Sequence, residues 1–313
     1  MKKENSPIIL FTYRRIPKET IKSLVKNSLV KDSELFIFSD GYKNEVDRKD
    51  VLEVRKYLKT IKDFKNITIY ESEKNNGLAK SIIDGVTKII NKHGKVIVLE
   101  DDLIVSDDFL NYMNEALEFY KDDEKIWSIS GYGPDMKCLK NYNENIYLSP
   151  RGSSWGWATW KDRWDSIDWD IKDWQEFKKD KKAIEKFNFG GDDMYKMLEL
   201  QMLGKIDSWA IRWCYNQYIK NMYTVYPKKS KIINDGFNDN KGTHNSGTYS
   251  KLVNKIDNNK IIFKSLDRNI TIIKCFQTYH NLSFKTKIGY FLKKYGGYKL
   301  IKNIIKTKTQ GRK

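Results

Sequence analysis

The sequence predicts an α/β fold built on a doubly wound, mostly parallel sheet flanked by helices. Three observations carry this. Short apolar runs alternate with amphipathic stretches over the first hundred residues, the runs are apolar on both faces, and helix-length segments separate them. The 313 residues suffice for one large α/β domain or two small ones.

The elements follow in order. Residues 7–12 read as a strand and 18–30 as an amphipathic helix. Residues 34–39 form a second strand closing on Asp40-Gly41, and 45–62 a second helix. A third strand is expected at 66–70 and a third helix at 78–91. The fourth strand, 95–99, is apolar at every position after Lys95. Sheets of this kind bind ligands at the carboxyl ends of their strands, near the point where strand order reverses. Beyond residue 125 the strands are less obvious, aromatics crowd into 155–174, and Gly- and Asn-rich sequence occupies 234–248. We therefore expect one domain over 1–267, with halves 1–125 and 126–267, and a basic, partly amphipathic tail over 268–313.

The net charge of +17 favours anionic partners, although the lysines lie among Asn and Ile as AT-rich coding would place them. Cys138, Cys214 and Cys275 are far apart and in no metal-ligand spacing, which predicts reduced thiols and a cytoplasmic location. No run approaches the ~20 apolar residues of a membrane span. The tail predicts at most peripheral contact with an anionic membrane at its inner face. Neither a Walker-type Gly-x-x-x-x-Gly-Lys-Ser/Thr nor a Gly-x-Gly-x-x-Gly occurs, which argues against P-loop and Rossmann dinucleotide enzymes.

The sharpest signal is Glu100-Asp101-Asp102, three carboxylates where the fourth strand leaves the sheet. Alternation sends successive side chains to opposite faces, so the three cannot share one role. Hard cations such as Mg2+ or Mn2+ take oxygen ligands, often one or two carboxylates with phosphate oxygens and water. The plain alternative is helix capping, but Ser106-Asp107-Asp108 is placed to cap the following helix. At the first strand end, Thr12-Tyr13-Arg14-Arg15 offers an arginine for a diphosphate or a base, and Asp40-Gly41 is either a turn or a second ligand-facing strand end. Asn75-Asn76-Gly77-Leu78-Ala79-Lys80 opens the third helix, with Lys80 one turn in, as a phosphate-binding N-terminus would.

The segment Leu99-Glu-Asp-Asp-Leu-Ile-Val-Ser-Asp-Asp-Phe-Leu-Asn-Tyr-Met113 resembles the metal-binding segment of the N-acetylglucosaminyltransferase I family and of related bacterial sugar transferases with an inverting GT-A fold. The resemblance implies a GT-A nucleotide-diphospho-sugar transferase, with residues 1–125 as the nucleotide-sugar half and 126–267 as the acceptor half. It implies Asp102 as direct Mn2+ or Mg2+ ligand, Asp101 at the donor, Glu100 supporting through water, Arg14 on the nucleotide and Asp40 on a uracil edge. The implied partners are a nucleotide-sugar donor and a glycan or lipid-linked acceptor, with no nucleic acid.

Four tryptophans crowd the segment 155–164. Trp157, Trp160 and Trp164 are spaced like one helix face, so Trp160 and Trp164 read as core. Trp155 and Trp157 flank Gly156, which suggests a loop with rings facing a sugar, and the family has a similar Gly-Trp stretch. Inverting transfer needs a general base. Asp192-Asp193 precedes a helical run and reads equally as an N-cap pair. The family carries its base in an Asp-Asp pair at the corresponding place, which favours Asp193 over Asp192. His244 is a further candidate for phosphate or metal. The competing classes are another metal-dependent nucleotide enzyme, such as a nucleotidyltransferase, and a basic nucleic-acid-binding protein. The latter leaves the acidic triplet unexplained.

Overall fold

The computed structural model describes residues 4–236, 255–282 and 284–294. Strands β1 (Ile8–Thr12), β2 (Glu34–Ser39), β3 (Asn66–Glu71) and β4 (Lys95–Glu100) lie where the apolar runs predict them. Between them run helices α1 (Lys18–Val25), α2 (Glu45–Leu58) and α3 (Leu78–His93). Ala79, Ile82, Val86, Ile89 and Ile90 of α3 are buried at helical spacing. Helix α1 stops short of its predicted end at residue 30. The buried Asn27 side chain donates to the carbonyls of Ser23 and Ser106 and accepts from the Leu110 amide.

The chain continues through β5 (Leu103–Val105), α4 (Phe109–Phe119), β6 (Ile126–Ser130), β7 (Ile146–Ser149), β8 (Trp157–Trp160) and α5 (Lys161–Asp165). Then come α6 (Trp174–Phe177), α7 (Lys181–Phe187), α8 (Met194–Met202), α9 (Trp209–Ile219), β9 (Tyr223–Pro227), β10 (Ile232–Asn234), α10 (Ile270–Tyr279) and α11 (Phe284–Lys294). Asp108 does not cap α4 as expected. Its carboxylate takes the Ser106 hydroxyl at 2.7 Å and the buried Lys231 ammonium at 2.7 Å, while Asn27 supplies the capping acceptor.

Eight strands form one mixed sheet in the order β3-β2-β1-β4-β8-β6-β9-β7, and β5 pairs with β10 apart from it. The first four are parallel; β4 then meets β8 antiparallel, Val98 opposite Trp157. Alternation divides the core. Ile8, Leu10 and Trp160 face one layer with α4, whereas Ile9, Phe11 and Trp157 face the other with α3 and α9.

Three expectations change here. Trp157 lies in a strand and is 1% exposed, its ring 5.1–5.8 Å from those of Trp164, Trp209 and Trp213. The helical spacing of Trp157, Trp160 and Trp164 spans a strand and a short helix, so Trp157 joins the core and reaches no sugar. Cys138 and Cys275 are joined in a disulfide across 137 residues, and Cys214 alone is a free, buried thiol. The first part of the expected tail is a docked helix: Ile272 and Phe276 of α10 are buried with Tyr147 and Tyr226. No helix among the described residues is long and apolar enough to cross a membrane.

Candidate active site

Parallel register sets Thr12 beside Ser39 and Phe11 beside Glu100, so β1, β2 and β4 end at one edge. Strand order reverses between β1 and β4, and the acidic cluster stands in that crevice. Glu100 ends β4, and Asp101 and Asp102 turn the chain into β5. Asp101 Oδ2 accepts from the Tyr13 amide at 3.2 Å. Arg15 reaches across the crevice. Its Nη1 lies 3.3 Å from Asp102 Oδ2 and 3.8 Å from Asp101 Oδ1, and its Nη2 donates to the Gly236 carbonyl at 3.2 Å. Pairing of β5 with β10 sets Asn234 opposite Leu103, and the Asn234 side chain hydrogen-bonds Asp102. A methyl group on Gly236 would run into the Asp102 carboxylate, so this close approach requires glycine.

Burial, then repulsion from Asp102 and Asp101, pushes the Glu100 carboxyl well above its ordinary value. Burial raises Asp102 too, against the pull of Arg15. Asp101 and Asp102 thus face the Arg15 guanidinium beside the buried Glu100, and Thr12 Oγ1 is buried nearby at the end of β1 without a hydrogen-bond partner. An oxygen-rich, electron-excess edge fits a hard divalent cation. Among the described residues, no three His, Cys, Asp or Glu side chains converge as a complete metal cage.

Other candidates at this end are engaged elsewhere. Arg14 pairs with Asp47 at 2.5 Å, and Asp47 also takes the Tyr13 hydroxyl at 2.7 Å. Arg15, its neighbour, is the arginine at the carboxylates. A strand end tells nothing about which of two successive arginines turns toward the acidic cluster, and here it is Arg15 rather than the expected Arg14. Asp40 is filled by its own chain. Oδ1 accepts the amides of Gly41 and Asn76, both at 2.9 Å, and Oδ2 accepts the Gly77 amide and the Asn75 side-chain amide, both at 3.0 Å. These bonds use the carboxylate's lone pairs and put an internal anion where the approach to α3 would attract phosphate. Lys80 points outward and pairs with Asp84 at 2.5 Å.

The acid pair at 192–193 is asymmetric. Arg151 clamps Asp193 with Nη1 on Oδ1 at 2.7 Å and Nη2 on Oδ2 at 2.9 Å, and also donates to the Gly190 carbonyl at 3.2 Å. Burial alone would raise Asp193, but Arg151, with a smaller contribution from His280, holds it below the usual carboxylate range. Gly191, at φ +139°, leaves no room for a side chain beside this pair. Asp193 opens α8 without a side-chain capping bond. Asp192 meets a weaker partner: the Asn281 amide, turned so that Nδ2 faces acceptors, donates to its Oδ2 at 3.0 Å. Asp193, the residue favoured as proton acceptor, is thus held by Arg151, while Asp192 keeps the weaker partner. Trp155, half-buried, stands edge to face on Tyr132 at 4.7 Å. His244 lies outside the described residues.

Solved structures of similar shape are distant. A mannosyltransferase from Pyrobaculum calidifontis in complex with GDP-Man and Mn2+ is 13% identical, with a TM-score of 0.37 over 51% of this chain and 46% of that one. The galactosyltransferase LgtC, in complex with donor and acceptor sugar analogs, is 10% identical, with a TM-score of 0.35 over 70% and 72%. A UDP-glucose pyrophosphorylase complexed with UDP-glucose is 10% identical, with a TM-score of 0.35 over 73% and 92%. The chain thus spans about half the length of the mannosyltransferase it matches. No curated protein matches it. The sequence model of the GNT-I family matches residues 1–188, which carry the parallel strands, the acidic triplet and the Trp-rich segment. The chain belongs to the GNT-I family, and its mixed, mostly parallel sheet with flanking helices is GT-A-like.

Proposed function

We propose that this protein is an inverting, divalent-metal-dependent glycosyltransferase. It moves a hexosyl or N-acetylhexosaminyl group from a nucleoside diphosphate, UDP foremost, to a glycan or lipid-linked acceptor in bacterial surface polysaccharide synthesis. The observation that carries the reading is the cluster of Asp101, Asp102 and Arg15 in the crevice where strand order reverses. Asp102 would hold the Mn2+ or Mg2+ directly, with Glu100 behind it through water. The cation, when bound, neutralises charge growing on the departing diphosphate. Arg15 adds a fixed positive charge at the same edge, and Asn234 and Gly236 hold Asp102 in place. In the other half, Asp192 accepts the proton of the acceptor hydroxyl, while Asp193 and Arg151 brace the turn that carries it. Asp40 accepts four hydrogen bonds from its own chain, so the UDP preference rests on the family resemblance.

The test is calorimetric titration of UDP, GDP and dTDP with and without Mn2+, on wild type and Asp102→Ala. Metal-dependent binding of one nucleotide, lost in the variant, is expected. No binding of any diphosphate in either condition would defeat the reading.

A further inference from the structure

Helix α10 lies beyond the segment that the family model matches, yet its last turn touches both groups of side chains in the acceptor half. Ile272 and Phe276 anchor it on Tyr147 and Tyr226, and Cys275 ties it covalently to Cys138. On one side, Tyr279 Oη lies 3.2 Å from Tyr132 Oη, and Tyr132 carries Trp155 against its ring. On the other, His280 closes over Gly191, where an added side chain would meet it, and Asn281 donates to Asp192. Tyr132 follows the end of β6, and Trp155 precedes Trp157, which pairs with both Ser130 and Val98. The aromatic pair therefore stands at the edge where β4 releases Glu100.

We propose that Trp155, Tyr132 and Tyr279, with Asn281 and Asp192, form the seat of the acceptor sugar, a hexose ring, and that the Cys138–Cys275 disulfide holds this seat in register. The assignment rests on the glycosyltransferase reading above. A pyranose offers an apolar C–H face and a polar hydroxyl rim; half-buried aromatic rings with hydroxyl and amide tips match both. Asn281 orients Asp192 through a single neutral hydrogen bond, which leaves lone pairs for a sugar hydroxyl. Arg151 instead engages both oxygens of Asp193 in a charged, bidentate pair. Reduction by a dithiol passes two electrons and two protons to the disulfide, giving two thiols, while the reductant leaves as its own disulfide. The covalent tie of α10 is then lost, and the crevice between β1 and β4 is untouched.

The experiment pairs two readouts on the full chain. Saturation-transfer NMR reports binding of octyl β-glucoside, β-galactoside and β-N-acetylglucosaminide, and calorimetry reports UDP with Mn2+. We expect at least one glycoside to bind wild type and to bind Tyr279→Phe about three- to tenfold more weakly, the loss of one hydrogen bond. Cys138→Ser, and wild type treated with dithiothreitol, should weaken the same glycoside while UDP binding holds. The proposal falls if no glycoside binds wild type, if Tyr279→Phe and reduction leave glycoside binding unchanged, or if reduction weakens UDP equally. Glycoside binding that responds as expected beside nucleotides that never bind would support the sugar seat and remove the transferase reading instead.

Discussion

Two acidic groups in the same chain are treated in opposite ways. At the end of β4, Asp101 and Asp102 meet Arg15, and burial raises Glu100 and Asp102. At the start of α8, one aspartate has an arginine to itself, and that pairing depresses Asp193 despite its burial. In the first group burial outweighs the pull of Arg15 on Asp102, whereas in the second Arg151 outweighs burial. A site that receives a cation and a diphosphate suits the first condition, and a brace suits the second.

The contrast predicts where substitutions do damage. The largest effect is expected from Arg151→Ala, which leaves Asp193 buried and unpaired. Urea unfolding should show a loss of about 4 kcal/mol, with nucleotide binding intact in the folded fraction. A loss below ~1 kcal/mol would mean that water replaces the guanidinium. Asp102→Ala should do the reverse, weakening Mn2+-dependent nucleotide binding at least about hundredfold with little change in unfolding. Equal effects on binding and stability would erase the distinction between the two groups. Asp40→Ala comes next. Four lost hydrogen bonds at a nearly buried carboxylate should cost about 2 kcal/mol. If uridine binding vanishes while stability holds, Asp40 reads the base after all.

The smallest effect is one of pH. The folded-state value of Asp193 is depressed, so its contribution to stability is complete above the ordinary aspartate range, near pH ~4. It is lost as pH falls through the lowered folded value. Asp193→Asn should therefore flatten the acid limb of the stability profile and leave its neutral region parallel to wild type. An unchanged acid limb would show that Arg151 does not stabilise the ionised form.

The parallel strands and their helices were legible because the central strands β1 and β4 are buried on both faces and read as unbroken apolar runs. The acidic triplet was legible for a related reason, since charge at the end of such a run stands out. The acceptor half was not. Its strands β7 and β8 have four residues each, too few to establish a period, and Trp157 was read as a loop residue on that account. The Cys138–Cys275 pairing depends on α10 folding back across 137 residues, which neither cysteine's neighbours encode. Arg15 and Arg14 differ only in which way the chain turns after Thr12, and the competing acid, Asp47, sits on a separate helix.

The tryptophans have a consequence of their own. All nine fall between positions 127 and 213, and none in the first 125 residues. Trp127, Trp157, Trp164, Trp209 and Trp213 form a chain of rings 4.6–5.8 Å apart, close enough to exchange excitation before emitting. Indole emission therefore reports on the residues beyond 125 as a unit, together with the faces of β1 and α3 that pack against them. Opening of the outer layer of α1 and α2 would move circular dichroism more than the emission spectrum. Reading the two signals side by side gives an optical test of whether the halves come apart together.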